Sequence, residues 1–123
     1  MKQIYLLVVG SRSFKDYDLM CAKLDMFLAN YKSITIVSGG ADGADMLAKR
    51  YASDHKYRYI EFPAMWDDFG KRAGFIRNVV MHQFISQYPH RGCVAFWDGS
   101  SKGTAHSFEL CKRFNNPLRV VRF

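Results

Sequence analysis

The stretch Ile4-Tyr5-Leu6-Leu7-Val8-Val9 is followed directly by Gly10-Ser11-Arg12-Ser13. Six consecutive apolar residues without alternation are typical of a strand buried on both faces, as in parallel sheets covered by helices. The glycine and the serines that follow end the run and begin a polar loop. The stretch therefore predicts a central strand of an α/β domain, with a polar loop at its carboxyl end.

The rest of the chain alternates between helical and strand-like patterns. Apolar residues recur at helical spacing in four segments, over 16–31, 42–52, 71–87 and 104–114. Short apolar runs predict four further strands, over 33–37, 57–62, 93–97 and 118–121. The order βαβαβαβαβ implies right-handed crossovers between parallel strands. We predict a Rossmann-like, doubly wound α/β domain, with a mostly parallel sheet of about five strands and helices on both faces.

Length and composition limit the class of protein. The 123 residues, of mass 14.2 kDa, predict one domain over residues 1–123. The hydrophobic content of 49% is enough for a core, and no apolar run approaches the roughly 18 residues of a membrane span. A strand-like run with no cleavage site near the N-terminus indicates no signal peptide. We expect a cytoplasmic protein that does not bind membranes.

The cysteines and histidines are scattered along the chain. Cys21, Cys93 and Cys111 form no C-x-x-C motif, and no Cys/His pair has the spacing of a zinc site. We expect reduced thiols in or near the core, no metal site and no required cofactor.

Two polar loops follow the first two strands. Gly10-Ser11-Arg12-Ser13 offers hydroxyls and a guanidinium, whose geometry matches phosphate or carboxylate. The second loop, Ser38-Gly39-Gly40-Ala41-Asp42-Gly43-Ala44-Asp45, leads into a helix, so its N–H groups suit a phosphate. The alternative is a tight turn in which Asp42 caps the helix and Asp45 complements its dipole.

Two further loops follow the third and fourth strands. The segment 62–78 is long for a βα connection and carries Trp66 and three basic residues, which favours a functional role. Trp66 could stack on a base or cover the edge of the core. Gly99-Ser100-Ser101-Lys102-Gly103-Thr104 again places small and hydroxylic residues before a helix, as a second phosphate cradle would.

The charges at these loops have mixed signs, although the net charge is +7. The predicted edge carries five basic and six acidic residues: Arg12, Lys71, Arg72, Arg77, Lys102, Asp16, Asp42, Asp45, Asp67, Asp68 and Asp98. A groove for a nucleic-acid backbone is mostly of one sign. A mixed edge instead suits a small ligand whose phosphates meet basic groups and whose sugar hydroxyls meet carboxylates.

Five ordered motifs resemble the small, single-domain, YspA-related branch of the SLOG superfamily, which includes DprA/Smf and "lonely guy" proteins. They are Gly10-Ser11-Arg12, Gly39-Gly40-Ala41-x-Gly43-Ala44-Asp45, Pro63-Ala64-x-Trp66, Gly70-Lys71-x-Ala73-Gly74-x-x-Arg77-Asn78-x-x-Met81 and Ser101-x-Gly103-Thr104-x-His106. The resemblance covers nearly the whole chain. It implies a Rossmann-like fold that binds a nucleotide derivative, such as an ADP-ribose or cyclic ADP-ribose type molecule. Relatives include phosphoribohydrolases and sensor domains, and they commonly form dimers or higher assemblies.

The chain departs from the hydrolases of this superfamily at two positions. Asn78 stands where their first motif has Lys, and Ser107 stands where their second has the catalytic Glu. Glu109 lies about 200° further round the helix and cannot replace that Glu. Loss of the carboxylate favours binding without turnover, so we assign no catalytic residue. Asp45 or Asp98 could supply another carboxylate, which keeps an N-glycosidic hydrolase as the alternative and nucleic-acid binding as a third hypothesis.

We therefore predict a sensor or sequestering protein for a nucleotide-derived ligand. Phosphates would lie on the Gly39-Gly40 and 99–104 loops, Arg12 and Arg77 would pair with them, Asp45 would bind ribose hydroxyls, and Trp66 a base. The predicted ligand-binding residues come from all four loops: Gly10, Ser11, Arg12, Ser38, Gly39, Gly40, Gly43, Asp45, Trp66, Lys71, Arg77, Asn78, Gly99, Ser101, Gly103 and Thr104.

Overall fold

Five strands form the sheet at the centre of the computed structural model, which describes residues 2–123. The strands are β1 Gln3–Gly10, β2 Ser33–Ser38, β3 Arg58–Glu61, β4 Arg91–Trp97 and β5 Leu118–Arg122. The helices are α1 Tyr17–Leu28, α2 Ala44–His55, α3 Trp66–Phe69, α4 Ala73–Ile85 and α5 Lys102–Phe114. A 3-10 turn over Gly70–Arg72 joins α3 to α4.

The strand order is β3-β2-β1-β4-β5, and every neighbouring pair is parallel. The predicted α/β class and the parallel sheet are thus confirmed, and the carboxyl ends of all five strands lie at one edge. From β1 the chain proceeds outward through β2 to β3, then returns to the other side of β1 with β4. The topological switch point, where such folds bind ligands, therefore lies between the carboxyl ends of β1 and β4.

Helices cover both faces of the sheet, and alternate residues of β1 face the two layers. Ile4, Leu6 and Val8 pack in a cluster with α1 and α2, which includes the fully buried Tyr51. Tyr5, Leu7 and Val9 pack on the other face with α4 and α5. This two-sided burial is the reason that the run from Ile4 to Val9 is apolar without alternation.

Several boundaries differ from the predicted ones. The helix predicted over 71–87 begins at Ala73 and ends at Ile85, and residues 66–69 form the unpredicted short helix α3. Helix α2 begins at Ala44 and continues to His55, beyond the predicted end at residue 52. It ends at Lys56 in the left-handed conformation, whose N–H bonds the carbonyls of Ala52 and Ser53. A non-glycine residue in this C-cap gives little sequence signal.

No helix among residues 2–123 combines the length and hydropathy that crossing a bilayer requires.

Candidate functional site

The loop after β1 and the loop after β4 are joined by hydrogen bonds at the switch point. The N–H of Ser11 donates to the carbonyl of Phe96 at 2.9 Å, and the N–H of Asp98 donates to Ser11 Oγ at 3.0 Å. A Cβ at Gly10 would lie 2.5 Å from both the Ala44 side chain and the Phe96 carbonyl, so this crossing requires glycine. The loops are therefore held in a fixed arrangement at the carboxyl edge.

An open cavity of about 490 Å³ lies at this point. The volume is within the range of small-molecule sites. It is lined by the loops after β1, β2 and β4, by the segment between β3 and α4, and by α2, α4 and α5: Val9, Gly10, Ser11, Arg12, Ser13, Ala41, Asp45, Trp66, Lys71, Gly74, Phe75, Arg77, Asn78, Met81, Asp98, Ser101, Gly103, Thr104 and Ser107. We refer to it as the main cavity.

The predicted ligand-binding residues divide into three groups. Most line the main cavity: Gly10, Ser11, Arg12, Asp45, Trp66, Lys71, Arg77, Asn78, Ser101, Gly103 and Thr104. Gly39 and Gly40 line a second cavity beside it. Ser38, Gly43 and Gly99 line neither. Ser38 is fully buried, and Gly43 abuts the carbonyls of Ser11 and Arg12, so both position the loop that carries Asp45.

Arg77 and Asn78 connect three elements beneath the main cavity. Arg77 donates from Nη1 to the carbonyl of Gly39 at 2.7 Å and from Nε to Asn78 Oδ1 at 3.1 Å. Asn78 in turn donates from Nδ2 to the carbonyl of Gly103 at 3.4 Å. Burial lowers the pKa of the Arg77 guanidinium, which nevertheless stays charged. Arg77 thus contributes positive charge to the main cavity and also supports the loop after β2.

The Gly39-Gly40 loop is not the open phosphate cradle that the sequence predicts. The Arg77 guanidinium covers Gly39, and the Glu61 carboxylate lies against Gly40. The N–H of Gly40 donates to Ser38 Oγ at 3.4 Å and is therefore not free for a phosphate. Gly40, whose φ is +73°, adopts a backbone conformation that favours glycine, which is a structural role.

Asp45 lies buried in the first turn of α2, where its Oδ2 accepts from the N–H of Ala41 at 3.2 Å. Burial raises its pKa to about 6, against the opposing effects of that hydrogen bond and of Arg77. The interpretation of Asp42 as the helix cap was wrong. Gly43 is the N-cap, and as a glycine it has no side chain that could accept a hydrogen bond from the first turn. Asp45 bonds the N–H of Ala41 in the preceding loop.

The pKa of Asp98 is shifted in the opposite direction from that of Asp45. Its Oδ1 accepts from the N–H groups of Ser100 and Ser101, each at 2.9 Å. These hydrogen bonds hold the pKa of Asp98 below its usual value. Of the two carboxylates considered for acid–base chemistry, Asp45 alone has a raised pKa, while Asp98 shapes the loop before α5.

Ser107 is a site residue that sequence reasoning noted only as a departure from the hydrolases. Its Oγ is buried at the wall of the main cavity and has no hydrogen-bond partner among residues 2–123. Ser107 lies one helical turn after Gly103 in α5, so the i, i+4 spacing was the signal that could have revealed it. A buried hydroxyl without a partner is costly, and a ligand in the cavity could supply the partner.

The outer wall of the main cavity is apolar. Trp66 and Phe75 are 51% and 49% exposed, and neither belongs to the buried clusters around the sheet. The Phe75 ring packs edge-on against His106 at 4.9 Å between centroids. Since Trp66 does not cover the core, its face remains accessible for stacking.

His82, Cys93 and Cys111 form a cluster that their sequence spacing did not indicate. Their potential ligand atoms lie within 4.8 Å of one another, and all three residues are buried. Asn116 Nδ2 lies 3.0 Å from His82 Nδ1 and 3.3 Å from its carbonyl, while Arg91 Nε donates to Asn116 Oδ1 at 2.6 Å. Nδ1 therefore accepts a hydrogen bond. Burial lowers the pKa of His82 to about 4, so the ring is neutral and carries its proton on Nε2. A protonated Nε2 has no lone pair for a metal, so this arrangement does not fit a metal ligand.

Comparison with known proteins agrees with this architecture. The model of the YspA, cpYpsA-related SLOG family (YAcAr) matches residues 5–69. The Gene 61 protein of Mycobacterium phage D29 is 30% identical over 119 residues, which cover 92% of each chain. The chain belongs to the YspA, cpYpsA-related SLOG family. The matched residues include the loops after β1 and β2 and Trp66.

Two solved structures of DNA processing protein A share the fold at 20% sequence identity. The Helicobacter pylori protein, whose structure concerns a single-stranded DNA binding mode, superposes with a TM-score of 0.64 over 95% of this chain and 64% of that chain. The Streptococcus pneumoniae protein gives 0.67 over 98% and 51%. This chain thus spans about half to two thirds of the length of these proteins, and at this identity the likeness concerns the fold.

Proposed function

We propose that the protein binds a phosphate-bearing nucleotide derivative, of the ADP-ribose type, in the main cavity. The observation that carries the proposal is the convergence, at the switch point, of Arg12 and Arg77 with the N-terminus of α5. Guanidiniums and free helix N–H groups both favour phosphate. An exposed Trp66 on the same wall suits a base.

Two polar groups of the main cavity favour a ligand that carries hydroxyl groups as well as phosphate. The Oγ of Ser107 has no hydrogen-bond partner among residues 2–123, and the buried carboxylate of Asp45 accepts from the backbone N–H of Ala41 through Oδ2. Both can bond sugar hydroxyls, as acidic residues do in other dinucleotide-binding folds. This combination of cations, hydroxyl partners and an aromatic wall matches a nucleotide better than an inorganic anion.

The proposal is tested by native mass spectrometry of protein purified from cells, followed by calorimetric titration with AMP, ADP and ADP-ribose. We expect retained or added nucleotide, and a loss of affinity of tenfold or more, about 1.4 kcal/mol, in Arg12→Gln. Arg113→Gln, which removes the same charge in the last turn of α5, is the matched control. An absence of binding by all three nucleotides would reject the proposal.

Turnover of the ligand is a second candidate, favoured by the raised pKa of Asp45. A carboxyl group with a pKa of about 6 can transfer a proton near neutral pH. Chromatography of ADP-ribose and nucleoside monophosphates after incubation detects released base. Release that Asp45→Asn abolishes would assign an N-glycosidic hydrolase, whereas full recovery of the intact nucleotide supports binding alone.

Nucleic-acid binding is a third candidate, because the H. pylori protein with this fold has a single-stranded DNA binding mode. The net charge of +7 favours it, and the mixed charges around the main cavity disfavour it. A salt series on oligonucleotide binding separates it from the nucleotide proposal.

A further inference from the structure

A second cavity, of about 380 Å³, opens beside the main one. The two share Arg12, Ala41, Trp66 and Arg77 as a common wall, so they form one continuous surface. The remaining lining comes from the loop after β2, from the end of β3 and from the loop after β3: Gly39, Gly40, Asp42, Glu61, Pro63 and Ala64. A ligand held at the two arginines can therefore extend into either cavity.

Glu61, the last residue of β3, is held in place at this second cavity. The Tyr59 hydroxyl donates to Glu61 Oε1 at 2.8 Å and lies 2.8 Å from the Oγ of buried Ser38. Lys49 Nζ stands 4.0 Å from the same oxygen. The other oxygen, Oε2, accepts no hydrogen bond from a side chain or backbone group of residues 2–123. One carboxylate oxygen is thus fixed and the other is available.

Gly40 allows the carboxylate to lie over the loop after β2. A Cβ at this position would come within 2.6 Å of Glu61 Cδ, and the backbone has a φ of +73°. Close approach and a positive φ together require glycine. The contact therefore depends on two residues: Tyr59 fixes the carboxylate by a hydrogen bond, and Gly40 leaves room for it.

The charges of the second cavity indicate which group it accepts. Glu61 and Asp42 repel an anion, while Arg12 and Arg77 on the shared wall repel a cation. A neutral group with hydroxyls avoids both penalties and satisfies the available carboxylate oxygen. Paired sugar hydroxyls are the groups that acidic side chains bind in dinucleotide-binding folds.

We propose that the second cavity is a sugar subsite in which Glu61 accepts hydrogen bonds from the hydroxyls of a sugar attached beyond the ligand's phosphates. The phosphates lie at the Arg12–Arg77 wall and the nucleoside occupies the main cavity. Tyr59 is a positioning residue that acts through Glu61. The inference rests on the proposed function and narrows the ligand class to nucleoside diphosphate sugars.

Calorimetric titration with ADP and ADP-ribose, which differ by the second ribose, tests the subsite. For the unaltered protein we expect ADP-ribose to bind about tenfold more tightly than ADP. Glu61→Gln removes this preference, because the second ribose loses its carboxylate partner. ADP, whose phosphates lie at the Arg12–Arg77 wall beside Glu61, does not weaken in this variant and gains affinity if the lost negative charge repelled its phosphates. Tyr59→Phe reduces the preference partly. Glu109→Gln, which alters the exposed glutamate of α5, changes neither affinity.

The outcomes separate this inference from the function on which it rests. If neither nucleotide binds the unaltered protein, the proposed function fails and the subsite with it. If both bind equally, or if Glu61→Gln weakens ADP and ADP-ribose to the same extent, the nucleotide site stands and the sugar subsite is wrong.

Discussion

At the scale of single residues, the buried carboxylate of Asp45 makes folding stability depend on pH. Its pKa is raised from 3.8 to about 6. Between pH 3.8 and pH 6 the folded state therefore keeps a proton on Asp45 that the unfolded state has already released. The stabilisation present below pH 3.8 is therefore lost as pH rises through 6, by about 3 kcal/mol at most.

Asp45→Asn removes this titration and keeps an oxygen for the N–H of Ala41. Urea unfolding of both proteins from pH 3.5 to 7.5 should show the unaltered protein losing about 3 kcal/mol relative to the variant as pH rises. Parallel stability curves would contradict the buried, high-pKa assignment.

The two arginines of the main cavity should differ in their effect on stability. Arg77 bonds the Gly39 carbonyl and Asn78, whereas Arg12 is exposed and makes no side-chain hydrogen bond within residues 2–123. We expect Arg77→Gln to cost about 1–3 kcal/mol of unfolding free energy and Arg12→Gln less than about 0.5 kcal/mol. Urea midpoints measure both, and equal losses would contradict the supporting role of Arg77.

At the scale of elements, the start of α2 depends on Gly43. Its φ is +79°, and a Cβ would overlap the carbonyls of Ser11 and Arg12, whereas a Cβ at Gly103 in α5 meets no atom of residues 2–123 within 4 Å. Gly43→Ala should destabilise the fold by more than about 2 kcal/mol. Gly103→Ala should be neutral or stabilising by up to about 1 kcal/mol, since alanine favours helix. Thermal unfolding of the pair checks the contrast, and similar melting temperatures would refute it.

The elements also show which parts of the structure a sequence can predict. The central strands were predictable because burial on both faces leaves continuous apolar runs such as Ile4 to Val9. Helix α3 was missed because four exposed residues carry no periodicity. The Glu61–Gly40 contact and the His82 cluster join residues distant in sequence, and no local pattern encodes such contacts. The candidate-site loops were predictable because parallel strands place them at one edge.

At the scale of the whole molecule, the net charge of +7 does not by itself indicate a nucleic-acid ligand. The cavities combine basic residues with Asp45, Asp98, Asp42 and Glu61. We expect ADP-ribose affinity to fall by about tenfold or less between 50 and 200 mM salt, since few phosphates are neutralised, against about 10³-fold or more for a DNA-binding protein. Fluorescence anisotropy with a labelled oligonucleotide, beside calorimetry with ADP-ribose, measures both slopes. Tight oligonucleotide binding with a steep slope would favour the nucleic-acid alternative.

The measurement that tests the central claim most directly is an NMR titration of ¹⁵N-labelled protein with ADP-ribose. The account predicts saturable shifts of backbone amides in the loops after β1 and β4 and in the first turns of α2 and α5. Amides at the opposite edge of the sheet, such as those of Tyr31 and Asn115, should not move. Shifts confined to that opposite edge, or none at a saturating excess of ADP-ribose, would contradict a nucleotide site at the switch point.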